Sequence, residues 1–207
     1  AHHTHYAVTS VLPGLGAGLA WRLALAALAF ALAARLFVFL THGIKAQLQK
    51  RIPLAWLRPV LGGLVVIGLT FLVGTREYLG LGVPGILRAV SDQPVPTFAF
   101  LWKLLFTAVT IGSGFQGGEV TPLFFIGATL GHTLAGPLGL APDYLAALGF
   151  VATFGAAANA PLACLLMGIE LFGGGVGGAL AIVCVLAFLL SGRGSIYGAQ
   201  RWGAQEP

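Results

Sequence analysis

Charge is what this sequence has least of. Only 8% of its residues are Asp, Glu, Lys or Arg, where a soluble domain carries roughly 25%. That is too little to coat a water-facing globule, so lipid is the better solvent. Acids are scarcer than bases, six against eleven. The net charge of +5 comes from few groups, several of them between apolar runs where membrane topology uses them, which argues against a nucleic-acid partner. Cysteine is nearly absent. Cys164 and Cys184 both lie in apolar stretches and read as small buried hydrophobes, not as a disulfide. No signal peptide is visible, and the chain starts at Ala1 without a methionine, as a trimmed or partial sequence would. His2, His3 and His5 have no further cysteine or carboxylate ligand near them, so the expectation is a mobile terminus, with no metal and no cofactor.

What the sequence has in abundance is apolar residues, 57% of the chain. Leu19 to Leu40 is long enough to span a bilayer, although Arg22 and Arg35 interrupt it. Its tail, "THGIKAQLQKRIPLAWLRP", carries Lys45, Lys50, Arg51 and Arg58 and no acid, which predicts a cytoplasmic loop. Further apolar runs cover Val60 to Val73, Phe98 to Ile111 with Lys103 inside it, and about 144–154, 161–172 and 176–190. Between them lie "GTREYLGLGVPGI", with a short helical piece at best, a glycine-rich break at 112–118 and "AGPLGLAPD". Several runs are shorter than a full span. Short segments interrupted by glycine or proline point to helices that stop inside the membrane, unless the helices are merely tilted. Gly14 and Gly18, Gly127 and Gly131, and Gly174 and Gly178 recur at four-residue spacing, which lets helices pack closely in lipid.

The stretch "GSGFQGGEVTPLFFIGATLGHTLAG", residues 112–136, places an acid in this setting. Thr121 is a natural N-cap and Pro122 suits a first helical position, so a helix is predicted from Pro122 to about Leu134. Gly117 and Gly118 allow a tight turn and a close approach of backbone to ligand. The N–H groups of Glu119, Val120 and Thr121 would then face an anion at the positive end of the helix. Glu119 has two readings. It balances the helix dipole, or it is a membrane-buried carboxyl that takes up a proton beside the anion and so couples the two ions.

At this point the residues resemble the CLC family of chloride channels and anion/proton antiporters. "GSGFQGGEVTPLFFIGATLG" is similar to the family's G-x-x-G-G-x-F-x-P segment with its following G-A-x-x-G. "NAPLACLLMGIELFG", residues 159–173, is similar to its A-P-L…E-[LM]-T-G helix. "GSIYGAQ", residues 194–200, sits where the family places an anion-binding tyrosine. The matches span nearly the whole chain but only the second half of a family subunit. Chloride members have an apolar residue and then phenylalanine where this chain has Glu119 and Val120, and an acid there resembles the fluoride-exporting subgroup.

The resemblance implies an all-α, polytopic membrane protein with broken and tilted helices, the second inverted repeat of the CLC fold. It would comprise a first long helix at about 1–50, connecting helices at 51–111, and anion-site and dimer-face helices at 112–207. The implied activity is exchange of fluoride, or another halide such as chloride, for protons across the cell inner membrane by a multi-pass homodimer in lipid. The backbone of Gly118, Glu119 and Val120, the Thr121 hydroxyl and the Tyr197 hydroxyl would bind the anion, and Glu119 would carry the proton. The family's G-x-E-G gating glutamate and polar anion-binding loop are not found here, so the chain is expected to be incomplete and inactive alone.

Alternatives remain beside this. From its surroundings alone Tyr197 reads as an interfacial anchor, and the resemblance favours the ligand. Glu170 caps the glycine-rich turn after it or lies in the pathway, and the resemblance favours a structural role. His132 reads as a packed core histidine. Ser113 with His132 would be needed for an intramembrane serine protease, but nothing places them together, and no enzyme is expected. A chloride channel, and a non-transporting scaffold or degenerate subunit, fit the composition too.

Overall fold

The computed structural model describes Val8, Gly14, residues 16–192 and residues 194–197. Among these residues the chain forms eight α-helices, one short 3-10 turn and no strand, so the fold is all-α as expected. The helices are α1 Ala17–Arg51, α2 Leu57–Val73, α3 Val83–Val90, α4 Ala99–Gly112, α5 Val120–Leu138, α6 Pro142–Ala158, α7 Pro161–Phe172 and α8 Gly177–Ser191, with the 3-10 turn at Gly174–Val176. Two segments, Ala17–Arg51 and Gly174–Ser191, are long and apolar enough to cross a membrane, whereas α2, α4 and α7 are shorter apolar helices. Residues 2, 3 and 5, with their histidines, lie outside the described residues.

The first difference from expectation is that the basic tail read as a loop is helical. Lys45, Lys50 and Arg51 belong to the last turns of α1 and not to a loop. Ala46, Gln47, Leu48 and Gln49 are good helix formers, and bases near a helix C-terminus meet the negative end of its dipole. The helix ends at Ile52, the residue before Pro53, where the proline disfavours helical backbone. Only residues 52–56 then separate α1 from α2. Arg58 tightens that connection, its Nε donating to the Ile52 carbonyl at 2.9 Å and its Nη2 to the Pro53 carbonyl at 3.3 Å.

The core is built around α6, where Leu145, Leu148 and Val151 are fully buried. Gly139, in the left-handed region at φ 61°, ends α5, and Pro142 starts α6, so the two helices run antiparallel. They meet backbone to backbone. A Cβ on Gly127 would collide with the Gly149 carbonyl, one on Gly131 with the Leu145 carbonyl, and one on Gly149 with the Gly127 carbonyl. Of the three four-residue glycine spacings this one makes a close crossing, while Gly14, Gly18 and Gly174 have open space before them.

Helix α1 lies across α5 and α6. Phe30 and Phe37 are fully buried, and a Cβ on Gly149 would come within 2.9 Å of the Phe30 ring. Its Arg22 Nη1 donates to the Gly139 carbonyl at 3.2 Å, at the C-terminal end of α5. At the opposite end, Gly112 of α4 fits against Ile44 and the Thr41 carbonyl. Cys164 and Cys184 are buried and unpaired, as small hydrophobes.

The α5–α6 crossing generates a test. Gly127→Val should cost at least the roughly 1–3 kcal/mol typical of overpacking, because the obstacle is backbone and cannot rotate away, and monodisperse protein in detergent should be lost. Gly136→Ala, with no heavy atom within 4 Å of the added carbon, should keep or raise the melting temperature. Equal melting of the two variants would contradict the crossing.

Candidate anion site

The chain approaches α5 through a break shaped by one left-handed glycine. Ser113 N–H donates to the Val109 carbonyl at 3.0 Å and Gly114 N–H to the Ile111 carbonyl at 3.0 Å, and Gly114 then takes φ 99°. The turn is therefore made at Gly114 and not, as expected, at Gly117 and Gly118. Those two residues lack positive φ, are exposed, and present bare backbone with nothing within 4 Å of an added Cβ.

Helix α5 starts two residues earlier than predicted. Glu119, not Thr121, holds the cap position, in right-handed helical conformation and without a side-chain cap bond, and the helix runs on through Pro137 to Leu138. The Glu119 carbonyl accepts the first helical bond from Leu123 N–H at 3.2 Å. Pro122 then falls on the third helical position, where its missing N–H costs nothing because that amide has no partner within the helix. The N–H groups of Glu119, Val120 and Thr121 stand outside the helical ladder for the same reason. All three residues are half-buried. The end is thus open, with three amide donors and the positive pole of a 19-residue helix behind them.

Two basic residues face this end that the sequence pointed to only as topology signals or not at all. His42 and Lys45 of α1 lie within electrostatic reach of the Glu119 carboxyl. Their spacing of three puts them on one face of the helix, but no local pattern links them to a residue more than seventy positions away.

Tyr197 comes to the same end of the bundle by another route. Ile196 N–H donates to the Ala157 carbonyl at 3.0 Å, and Asn159 Nδ2 to the Gly194 carbonyl at 3.5 Å. This fastens the segment to the C-terminal end of α6, which lies beside the start of α5 because the two run antiparallel. Gly194 approaches Val38 of α1, one turn, about 6 Å of rise, before His42. Tyr197 is itself 47% exposed, and its backbone N–H donates to Ser195 Oγ at 3.1 Å.

Two cavities flank these elements. One, of about 330 Å³, is lined by Arg35, Val38, Ala156, Ser191 and Gly194 among others. The other, of about 370 Å³, is lined by Tyr78, Gly80, Thr107, Thr110, Gly117 and Gly118 among others. So Gly118 borders the second cavity, whereas Glu119, Val120, Thr121 and Tyr197 line neither.

The remaining candidates separate. His132 is half-buried, with Nδ1 3.2 Å from the Ala89 carbonyl, a packed histidine as expected. Ser113 is 1% exposed, packs where a Cβ on Gly62 would collide with it, and donates its hydroxyl to the Val109 carbonyl. It is not paired with His132. Glu170 is exposed on α7, and the turn after that helix is closed by backbone instead, Gly173 N–H to the Ile169 carbonyl at 2.9 Å. Among the described residues, no group of three His, Cys, Asp or Glu is placed to hold a metal.

Known proteins resemble this chain over nearly its whole length. Residues 3–192 match the family described as voltage gated chloride channel. The chain is 41% identical over 207 residues to a chloride/fluoride channel protein of Pseudomonas syringae pv. tomato, covering 97% of this chain and 45% of that protein. It superposes on the crystal structure of a CLC-type fluoride/proton antiporter with a TM-score of 0.89 at 34% identity, covering 95% of this chain and 49% of that one. The chain thus spans about half the length of these relatives. With the family match extending over all of the described helices, this membrane protein belongs to the voltage gated chloride channel family.

Proposed function

We propose that this chain supplies the second half of a halide/proton exchange unit in a cell inner membrane, with fluoride as the transported anion. The observation that carries the proposal is the open amino end of α5, where three unladdered amides and an ionisable carboxyl occupy one turn. Its likeness to a chloride/fluoride channel protein and to a fluoride/proton antiporter supports the choice of ion. Fluoride holds its water firmly, so stripping it requires several good donors at once. The amides of Glu119 and Val120, the exposed backbone at Gly118, and the hydroxyls of Thr121 and Tyr197 are the candidates. Glu119 then serves as the proton carrier. When it is ionised, His42 and Lys45 partly offset its charge, and when it takes up a proton the site is freed for an anion.

A homodimer is part of this reading, and α7 supports it. Leu162 and Leu166 are each 68% exposed, and Glu170, four residues further along the same face, is exposed as well. A carboxylate facing hydrocarbon is costly, so this face is better covered by a second copy than by lipid.

Three outcomes follow in the complete protein reconstituted in liposomes. Glu119→Gln should abolish fluoride-driven proton movement, either by stopping transport or by leaving fluoride flux uncoupled from protons, and wild-type proton flux would remove Glu119 from coupling. Tyr197→Phe should slow fluoride transport by about tenfold, the worth of one hydrogen bond to a charged group, and an identical rate would return the tyrosine to an anchoring role. For the dimer, Leu166→Cys should form oxidant-induced covalent dimers while Phe71→Cys, on the 84% exposed outer face of α2, should not. Equal cross-linking at both positions would dissociate α7 from any specific interface.

A further inference from the structure

We propose that the basic end of α1 and the outer face of α2 together hold an anionic phospholipid, with its headgroup on Lys50 and Arg51 and an acyl chain along α2. Both residues are exposed in the last turn of α1. Neither side chain has a hydrogen bond or ion pair among the described residues. Bases at a helix end often settle on nearby free carbonyls, but those of Ile52 and Pro53 are taken by Arg58. No acid occurs between His42 and Arg58. The bases that reach the Glu119 carboxyl are His42 and Lys45, so Lys50 and Arg51 are not part of the candidate anion site. They form an uncommitted pair of charges, which belongs at headgroup level or in water.

An apolar stripe starts beside them. Leu54 is 53% exposed and Trp56 65% exposed, both in the connection 52–56 that Arg58 ties to the end of α1. Trp56 has helical backbone, φ −71° and ψ −23°, and so continues the spacing of α2. Trp56, Val60, Leu64, Ile67 and Phe71 recur three or four positions apart, which is one face of a helix, and all of them are exposed. The opposite face is the packed one, where Gly62 is buried and a Cβ on it would collide with Ser113. From Trp56 to Phe71 the stripe extends about 22 Å, more than the roughly 15 Å of hydrocarbon in one leaflet.

The order of groups along this surface selects the occupant. Basic pair, exposed tryptophan and apolar stripe follow one another as the headgroup, glycerol level and acyl chain of a phospholipid do. Tryptophan rings sit at the headgroup level of a bilayer, and basic residues beside a transmembrane helix attract anionic lipids. A protein surface is a poorer match. It would bury two charges and would have to bring a carboxylate for each, whereas a lipid headgroup neutralises them while they stay hydrated. Free inorganic phosphate would satisfy the bases but leave the stripe uncovered. The inference rests on this surface alone and not on the fluoride reading.

The test uses the full-length protein in liposomes of mixed phosphatidylglycerol and phosphatidylcholine, with one or the other lipid carrying brominated chains that quench tryptophan on contact. The emission lost in Trp56→Phe isolates the signal of Trp56. Brominated phosphatidylglycerol is expected to bind at least about fivefold more tightly than brominated phosphatidylcholine, the effect of a single base near an anionic surface. Lys50→Gln/Arg51→Gln should bring the two lipids to equal affinity, and the charge-keeping Lys50→Arg/Arg51→Lys should retain the preference. Equal quenching by the two lipids in the wild type, or a preference that survives Lys50→Gln/Arg51→Gln, would overturn the proposal. So would protection of Trp56 from both lipids, which would mean that protein covers the stripe. Loss of the preference when inorganic phosphate replaces chloride at constant ionic strength would overturn it too, by assigning the bases to free phosphate. None of these readouts measures fluoride flux, so the transport reading stands or falls separately.

Discussion

The structure depends on one contact, the bare-backbone crossing of α5 and α6 at Gly127, Gly131 and Gly149. In lipid, apolar helices gain little from hiding from the solvent, so close van der Waals approach and good packing must hold them. This crossing supplies that approach, and it also sets the position of everything at the two helix ends. The start of α5 and the end of α6 arrive side by side because the helices are antiparallel and cannot slide without steric collision. The amides of Glu119, Val120 and Thr121 and the segment that carries Tyr197 are therefore placed by glycines six and more residues away from them in the chain.

Electrostatics is organised around the same frame. The chain carries few ionisable groups, and each internal one has a structural reason to be where it is. Arg22 closes the far end of α5 on the Gly139 carbonyl. Lys103 satisfies an irregular backbone segment. Arg88 pairs with Glu77 to join α3 to the loop before it. Positive ends, bases and free donors outnumber acids throughout, which is the field an anion would meet.

Much of this was legible in the sequence, and the gaps have definite causes. The apolar runs and their glycine and proline boundaries located α2, α4, α7 and α8 to within a few residues, because those breakers act locally. The motif around Glu119 named the correct turn but misplaced its start. Proline is tolerated at any of the first helical positions, so Pro122 marks a helix beginning without fixing which residue is the cap. Lys45, Lys50 and Arg51 looked like loop because charge ends an apolar pattern, yet charge does not end a helix. The turn at Gly114 was hidden among three other glycines, all equally permitted to make it. His42, Tyr78 and the partners of Lys103 were not legible at all, since their roles arise from contacts across the fold and leave no spacing to read.

Helix α1 also serves as a ruler. At 1.5 Å of rise per residue its 35 residues extend about 52 Å, well beyond a hydrocarbon layer of roughly 30 Å. Its basic tip cannot lie inside that layer and must stand in headgroups or water. His42, one of the two bases within electrostatic reach of Glu119, is nine residues short of the tip, about 14 Å along the scale. The carboxyl therefore lies a shallow step from the basic end of α1, and the distance toward the other end of the helix is more than twice as long.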